Sequence, residues 1–467
     1  MTASSDEPQR GRARTSRVGA ATLFLGRAER YLRRRLAWNR IYRAASYAKS
    51  ALWIVPFISI IAVLAISPLL RVMDNWLGWR FTGLPASGAE ALYQTVITLT
   101  LSFLVFTFGS LLVAIQIAGG QLTPRIIATT LLRDNVVRYS VGLFVFTLLF
   151  AVSALNRVET QMLDLVAFLV GALGVVCMAM FLFLIDYAAR LLRPVSIAAR
   201  VGNEGLVVIK AVYPELVGES SERESGWTTQ FGPPARTVPY LGTSAIVLAV
   251  DLPTLVDEAK RVDGAIEVIP QVGDFLATEE PLFALYGNAA AIGSMALYAT
   301  VAIGPERTLE QDPIFAFRIL VDIALKALSA AINDPTTAVL AIDQVQRLLR
   351  VVGKRHLQRE EILDDRGVVR VIYRTPNWED YVNVSCNEIR NCGAGNVQVA
   401  RRLRAMLDNL KLSLPKHRHR ALDEERDRLD RMIGKLYSDP MDAALARIPD
   451  TQGLGGSPGS RATSAAR

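Results

Sequence analysis

Five acidic residues, Glu310, Asp312, Asp322, Asp334 and Asp343, lie close enough in the chain to invite a reading as metal ligands or general bases. Their neighbours favour neutralisation instead. Arg318, Asp322 and Lys326 are spaced by four, as are Asp343 and Arg347, and such residues pair along one surface of a helix. Asp334 stands just before Pro335, where its carboxylate can accept the first free amides of a helix and the missing proline N–H costs nothing. His417 and His419 are at i and i+2, which diverge on a helix and form no zinc chelate; His356 is isolated. Cys386 and Cys392 have a spacing that fits no common metal knuckle, and Cys177 lies in an apolar run, so all three are expected as thiols, in a reducing compartment for the soluble part. No phosphate-cradling glycine loop, Gly-x-Ser-x-Gly elbow or Ser/His/Asp grouping is present. These residues predict no enzyme, no cofactor and no metal.

A second set is polar without being ionisable. Thr95, Thr98, Ser102, Gly109 and Gln116 keep a heptad-like spacing inside a long apolar run, which puts small and polar groups on one helix face. Such a face is either a close helix–helix seam, its hydroxyls bonded to the preceding turn, or the lining of a pore or ligand path. No ionisable residue lies inside any of the apolar runs, which argues against a proton-driven pump.

The elements that carry these residues follow from hydropathy. Of the 467 residues, 51% are hydrophobic and the mean hydropathy is +0.27, above the usual range for a soluble domain. Uncharged runs at Ser50 to Leu70, Ala91 to Thr123, Tyr139 to Asn156 and Leu165 to Ile185 predict four transmembrane helices, the second longer than the ~20 residues that span a bilayer and the third close to the lower limit. Gly119-Gly120 and Thr123-Pro124 supply a stop for the second. Arginines crowd the segment before the first run, from Arg27 to Arg43, and recur after the second and fourth, whereas the other two loops carry few. The expectation is a bacterial plasma (inner) membrane protein, multi-pass, with both termini cytoplasmic and the first run retained as an anchor. Leu32, Leu36, Ile41 and Ala45 share one side of the preceding segment, with Trp38, Tyr42 and Tyr47 nearby, which suggests an amphipathic helix on anionic lipid headgroups.

Beyond Arg193-Pro194 the chain reads as soluble. Gly218 to Pro239 is loop-like; Ser244 to Val250, Gly264 to Pro270 and Pro281 to Leu285 read as strands around a helix at Leu252 to Val262 capped by Asp251, a small α/β unit of barrel-like character. Ile314 to Ala331 and Thr336 to Val352 form a helical hairpin about Asn333-Asp334-Pro335, followed by an extended piece, Val368 to Tyr373, and helices at Gln398 to Leu412 and Leu422 to Leu436. The basic residues Arg401, Arg402, Arg404, Lys416, Arg418 and Arg420 lack interleaved aromatics, so lipid or solvent is expected and nucleic acid is not. The domain reading is a basic tail with amphipathic helix (1–49), a four-helix transmembrane domain (50–186), a juxtamembrane helix and loop (187–235), a small α/β unit (236–303), a helical cytoplasmic domain (304–450) and a disordered tail (451–467). The fold class is thus an α-helical integral membrane domain with four transmembrane helices, plus a cytoplasmic α+β region that ends in a helical bundle.

Gln121-Leu122-Thr123-Pro124-Arg125, Gly273-Asp274-Phe275, and Arg307-Thr308-Leu309-Glu310-Gln311-Asp312 leading to Ala327-Leu328-Ser329 and Ile332-Asn333-Asp334-Pro335-Thr336-Thr337-Ala338 together resemble a bacterial family of predicted membrane proteins, domain of unknown function 2254. The resemblance runs from about Ser50 to about Ile433; its departures, at Ala330-Ala331 and Phe315-Ala316-Phe317, bear on local turns alone. It implies an integral inner-membrane protein and brings no activity or catalytic residue with it. The candidate functional residues are Thr95, Thr98, Ser102, Gln116, Gln121, Pro124, Arg125, Arg307, Gln311, Asp312, Asp322, Asn333, Asp334, Pro335 and Thr336. The expected assembly is a homo-oligomer in the lipid bilayer, its second helix lining a conduction path gated by the cytoplasmic region. The alternative is a membrane-anchored scaffold or sensor that recruits cytoplasmic partners. An enzyme would require Asp312, Asp322, Asn333 and Asp334 to converge.

Overall fold

The computed structural model describes residues 38–51, 53–77, 83–121, 134–157, 164–191, 193–217, 231–357 and 360–456. They fall into two units. One takes Met1–Tyr47, Glu224–Arg307 and Arg359–Thr375; the other takes Ala48–Arg223, Thr308–Gln358 and Pro376–Arg467.

Within the second unit, the apolar runs become α2 (Ile54–Leu77), α3 (Ala86–Gln121), α4 (Asn135–Leu155) and α5 (Asp164–Leu191). The stretches Ala86–Ile117, Asn135–Leu155 and Leu165–Leu191 are long and apolar enough to cross a membrane, while the apolar part of α2, Ile54–Leu70, is shorter. Of the four spans expected, three are thus supported among the described residues, and α2 is a helix whose apolar part falls short of that length. The shortest of the three, α4, is the central one and packs against α2, α3 and α5. It can do so because Gly142 leaves room: a Cβ there would lie 2.5 Å from Val55 Cγ1 of α2. Phe144 of α4 is fully buried against Phe103 of α3, which in turn stacks on Phe181 of α5 at 4.3 Å. Ala167, Gly171 and Gly174 of α5 meet Leu92 and Val96 of α3 or the bundle core, as plain packing.

The same unit continues with α6 (Pro194–Val212), the hairpin of α9 (Pro313–Ala327) and α10 (Pro335–Val352), then α11 (Trp378–Gly393), α12 (Val397–Ser413), α13 (His419–Leu436) and α14 (Pro440–Ala446). Helix α9 is buried on nearly every face, from Phe315 to Ala327, and its neighbours α6, α10 and α11 enclose it. Several basic residues expected at lipid or solvent are instead structural. Arg401 is buried and donates to the carbonyls of Ile448 and Gly456, Arg402 pairs with Asp343 at 2.6 Å, and Arg404 pairs with Asp430. Arg418 is buried beside Trp378. Asp343 thus pairs across to α12 and not with Arg347 on its own helix, because α10 turns that side toward α12. Residues Thr451–Gly456, expected to be disordered, are tied back by Arg401 and by Asp450, which accepts the amides of Gln452, Gly453 and Gly455. The remainder of that tail, 457–467, lies outside the described residues.

The first unit holds two sheets where a barrel-like form was expected. One has the order β1 (Arg236–Pro239), β5 (Pro281–Gly287), β3 (Gly264–Val268), β8 (Val369–Tyr373), β7 (Glu361–Leu363); the other is β4 (Phe275–Leu276), β2 (Ala245–Val250), β6 (Val301–Gly304). All pairings are antiparallel except β3 with β8. Helix α7 (Leu252–Val262), capped by Asp251, covers the large sheet through Leu255 and Ala259; α8 (Ser294–Tyr298) precedes β6. In helix α1 (Trp38–Ser50) two of the aromatic rings expected at a membrane interface pack on protein instead. Trp38 and Tyr42 stack at 5.2 Å and pack on Leu248, Ala249 and Ala302 of the small sheet, and the Asn39 amide donates to Ala299 O at 3.1 Å. Ile41 and Tyr47 are exposed, and Leu32 and Leu36 lie outside the described residues.

The loop between β7 and β8 is held by one carboxylate. Asp364 accepts from Arg370 Nε at 2.9 Å and from the amides of Arg366 and Val368, and the Arg370 hydrogen bond first, then the amides, hold its carboxyl at about 2 instead of 3.8. A depressed carboxylate stabilises the fold above its unfolded pKa and loses that contribution as pH falls through the folded one. Asp364→Asn is therefore expected to lower the melting temperature of the detergent-purified protein at pH 7, with the gap to wild type narrowing below pH 4 and closing near pH 2 in a thermal-unfolding series.

Candidate functional site

The polar face of α3 can be followed residue by residue. Thr95, Thr98 and Ser102 are exposed, and each hydroxyl donates to the carbonyl four residues earlier, at 2.7, 2.8 and 2.8 Å. Gly109 has nothing within 4 Å of a built Cβ, and Gln116 is exposed. This face looks away from α4 and α5. The polar side chains that the bundle does bury are others: Thr100 and Thr107 of α3, Ser140 and Thr147 of α4. Thr147 accepts from the Cys177 thiol at 3.2 Å. Thr100 and Thr107 are themselves a heptad apart, so α3 carries two interleaved polar rows and spacing alone does not tell inner from outer. Helix α3 ends at Gln121, while Pro124 and Arg125 lie outside the described residues.

The acidic candidates do not converge. Asp312 is buried at the N-cap of α9 and accepts the Phe315 amide at 3.1 Å; Asp334 caps α10, accepting the Thr337 amide at 3.1 Å and its hydroxyl at 2.5 Å. These caps stand at opposite ends of the 15-residue α9, about 22 Å apart along its axis. Asp322 pairs with Arg318 at 2.5 Å, and Arg318 also reaches Glu388 of α11, holding that carboxyl below its ordinary range. Among the described residues no group of three His, Cys, Asp or Glu is placed to hold a metal. Gln311 is half-buried and Thr336 is exposed; the hydroxyl that serves the cap belongs to Thr337. Asn333 takes the left-handed conformation, φ 48°, and lets Asp334 N return to Ala327 O at 2.7 Å, after which Pro335 opens α10. In the first unit, Arg307 donates twice to Gly273 O and so braces the Gly273-Asp274-Phe275 turn.

A different cluster joins the spans to the helices that follow. Asp134, 4% exposed, caps α4 through the amides of Val136 (2.9 Å) and Val137 (3.2 Å), and also accepts the Tyr187 hydroxyl of α5 (2.5 Å) and the Arg200 guanidinium of α6 (2.7 Å). Arg200 also donates to the Tyr187 oxygen at 3.2 Å. Burial opposes the Arg200 cation, but the hydrogen bonds to Asp134 and Tyr187 outweigh it and its pKa rises. One turn on, α6 sits directly on the hairpin: a Cβ at Gly205 would lie 2.8 Å from Ala316 of α9 and 3.1 Å from Leu348 of α10. Sequence reasoning missed Asp134 and Tyr187. The available signal was an aspartate bordering an apolar run among arginines, which reads equally as a solvated flank.

A family model described as "Predicted membrane protein (DUF2254)" matches residues 49–409. The chain belongs to this family. The match takes in α2 through most of α12, and hence the α3 face, the Asp134 cluster and the Asn333-Asp334-Pro335 turn. Similar relatives are the uncharacterized protein Rv1290c of Mycobacterium tuberculosis and the uncharacterized protein Mb1321c of Mycobacterium bovis, each 25% identical over 374 residues, covering 76% of this chain and 71% of the relative. No solved structure matches.

Two outcomes are expected. Asn333→Ala costs about 1 kcal/mol of stability, because only Asn or Gly enters the left-handed region cheaply, whereas Asn333→Gly is near neutral by denaturant melting. Asp134→Ala, which removes the carboxylate that faces the Arg200 cation, costs about 3 kcal/mol, and the Asp134→Ala/Arg200→Ala double variant recovers part of the loss in a double-mutant cycle.

Proposed function

We propose that the chain is a homo-oligomeric inner-membrane protein with four spans and both termini in the cytoplasm, whose α3 faces together line a conduction path gated by the cytoplasmic helices. The observation that carries this reading is the outward polar face of α3, ending in the exposed amide of Gln116. In hydrocarbon an unsatisfied amide costs several kcal/mol, so a second copy or a water-filled path is a better neighbour than lipid. Arginine-rich flanks on alternate loops support the orientation. The Asp134–Tyr187–Arg200 cluster and the close seat of α6 on the hairpin supply the mechanical link a gate requires. No catalytic role enters this reading.

A second reading, a membrane-anchored scaffold, draws on Leu412 and Met441, 88% and 80% exposed on the helical region, as contact points for a protein partner. The test that separates them begins with native mass spectrometry of the full-length protein in detergent. A closed ring, with ion flux in liposomes that falls at least severalfold in Gln116→Leu and Ser102→Leu, is the expected result. A monomer, or flux unchanged by both substitutions, overturns the conduction reading in favour of the scaffold.

A further inference from the structure

Beside the small sheet of the first unit lies a cavity of about 610 Å³, within the range of small-molecule sites, walled by α1, the segment Tyr240–Ala245, α8 and β6. Arg43 is the one charged side chain among its lining residues; no Asp or Glu faces it there. The two tyrosines are committed to the walls: Tyr298 donates to Pro239 O at 2.5 Å and Tyr240 to Thr243 O at 2.8 Å, so they present rings. Leu282 and Val301 are buried behind the cavity floor, Ile303 is half-buried, and Leu241 and Met295 are exposed at it. The cavity is therefore of mixed polarity, with Asn39, Thr243 and Ser244 beside the apolar side chains and the exposed guanidinium of Arg43 as its one charge, and such a lining favours a ligand that brings one negative charge and a hydrocarbon body. Helix α1 is pinned to this sheet by the Trp38–Tyr42 stack and the Asn39 hydrogen bonds, which fixes the backbone that carries the exposed Arg43.

We propose that this cavity is a binding site for a monoanionic amphiphile, an acyl chain with a carboxylate or phosphodiester head, in which Arg43 takes the head and Leu241, Ile303 and Met295 take the chain. The site stands independently of the conduction reading, since its test measures occupancy and not flux. Full-length protein in neutral detergent is titrated with oleate, lysophosphatidylglycerol, lysophosphatidylcholine or inorganic phosphate and observed by native mass spectrometry. The expected result is one saturable adduct with an anionic amphiphile, weakened about tenfold or more in Arg43→Ala, as loss of one charge-assisted hydrogen bond requires, and largely kept in Arg43→Lys. Met295→Trp, which intrudes on the chamber, should weaken it as well. Oleate binding alone assigns a carboxylate head, and lysophosphatidylglycerol binding alone a phosphodiester head. Equal binding of lysophosphatidylcholine, equal binding of inorganic phosphate, or an adduct that persists unchanged in both Arg43→Ala and Met295→Trp would overturn the proposal.

Discussion

A carboxylate withdrawn from water at the mouth of a hydrocarbon layer has to be solvated by the protein itself, and Asp134 is solvated four times over. Two amides of α4, the phenol of α5 and the guanidinium of α6 converge on its two oxygens. Because an incompletely satisfied charge there would cost several kcal/mol, the relative placement of these three helices has little latitude. The steric counterpart lies at Gly205, where close approach seats α6 on α9 and α10. One polar constraint and one packing constraint thus fix α6 against both the apolar helices and the buried hairpin.

Local chemistry was legible in the sequence and long-range partnership was not. Asp251, Asp334 and the run Asn333-Asp334-Pro335 cap and break helices through neighbours in the chain, and the helices begin where those residues place them. The Asp322–Arg318 pair is likewise local. Asp343 fails the same rule because a partner from α12, the largely buried Arg402, takes its carboxylate while Arg347 stays exposed. Trp38 and Tyr42 carry a composition suited to a membrane interface, yet a sheet of Leu248, Ala249 and Ala302 satisfies the same amphipathic rings. The polar rows of α3 show the limit most clearly: Thr95 and Thr98 differ from Thr100 and Thr107 only in which neighbour a tertiary fold places beside them.

The candidate residues separate accordingly. Asn333, Asp334, Pro335 and Asp312 are accounted for by helix ends, and Arg307 by a braced turn, so each has a folding explanation. What folding leaves over is the outer face of α3, whose hydroxyls close on their own helix while Gln116 stays exposed.

The parallel pairing of β3 with β8 sets a timetable for biosynthesis. Ile266 meets Val371, so the central strand of the large sheet waits for a partner made roughly a hundred residues later, after the whole α9–α10 hairpin has been translated. At ordinary elongation rates that interval is on the order of 5–20 s. Throughout it, β3 has β5 on one side and an open edge on the other, the kind of edge that recruits other chains. The apolar helices, all earlier in the chain, have been made before this window opens, so the pace of translation across the hairpin sets how long that edge stays open.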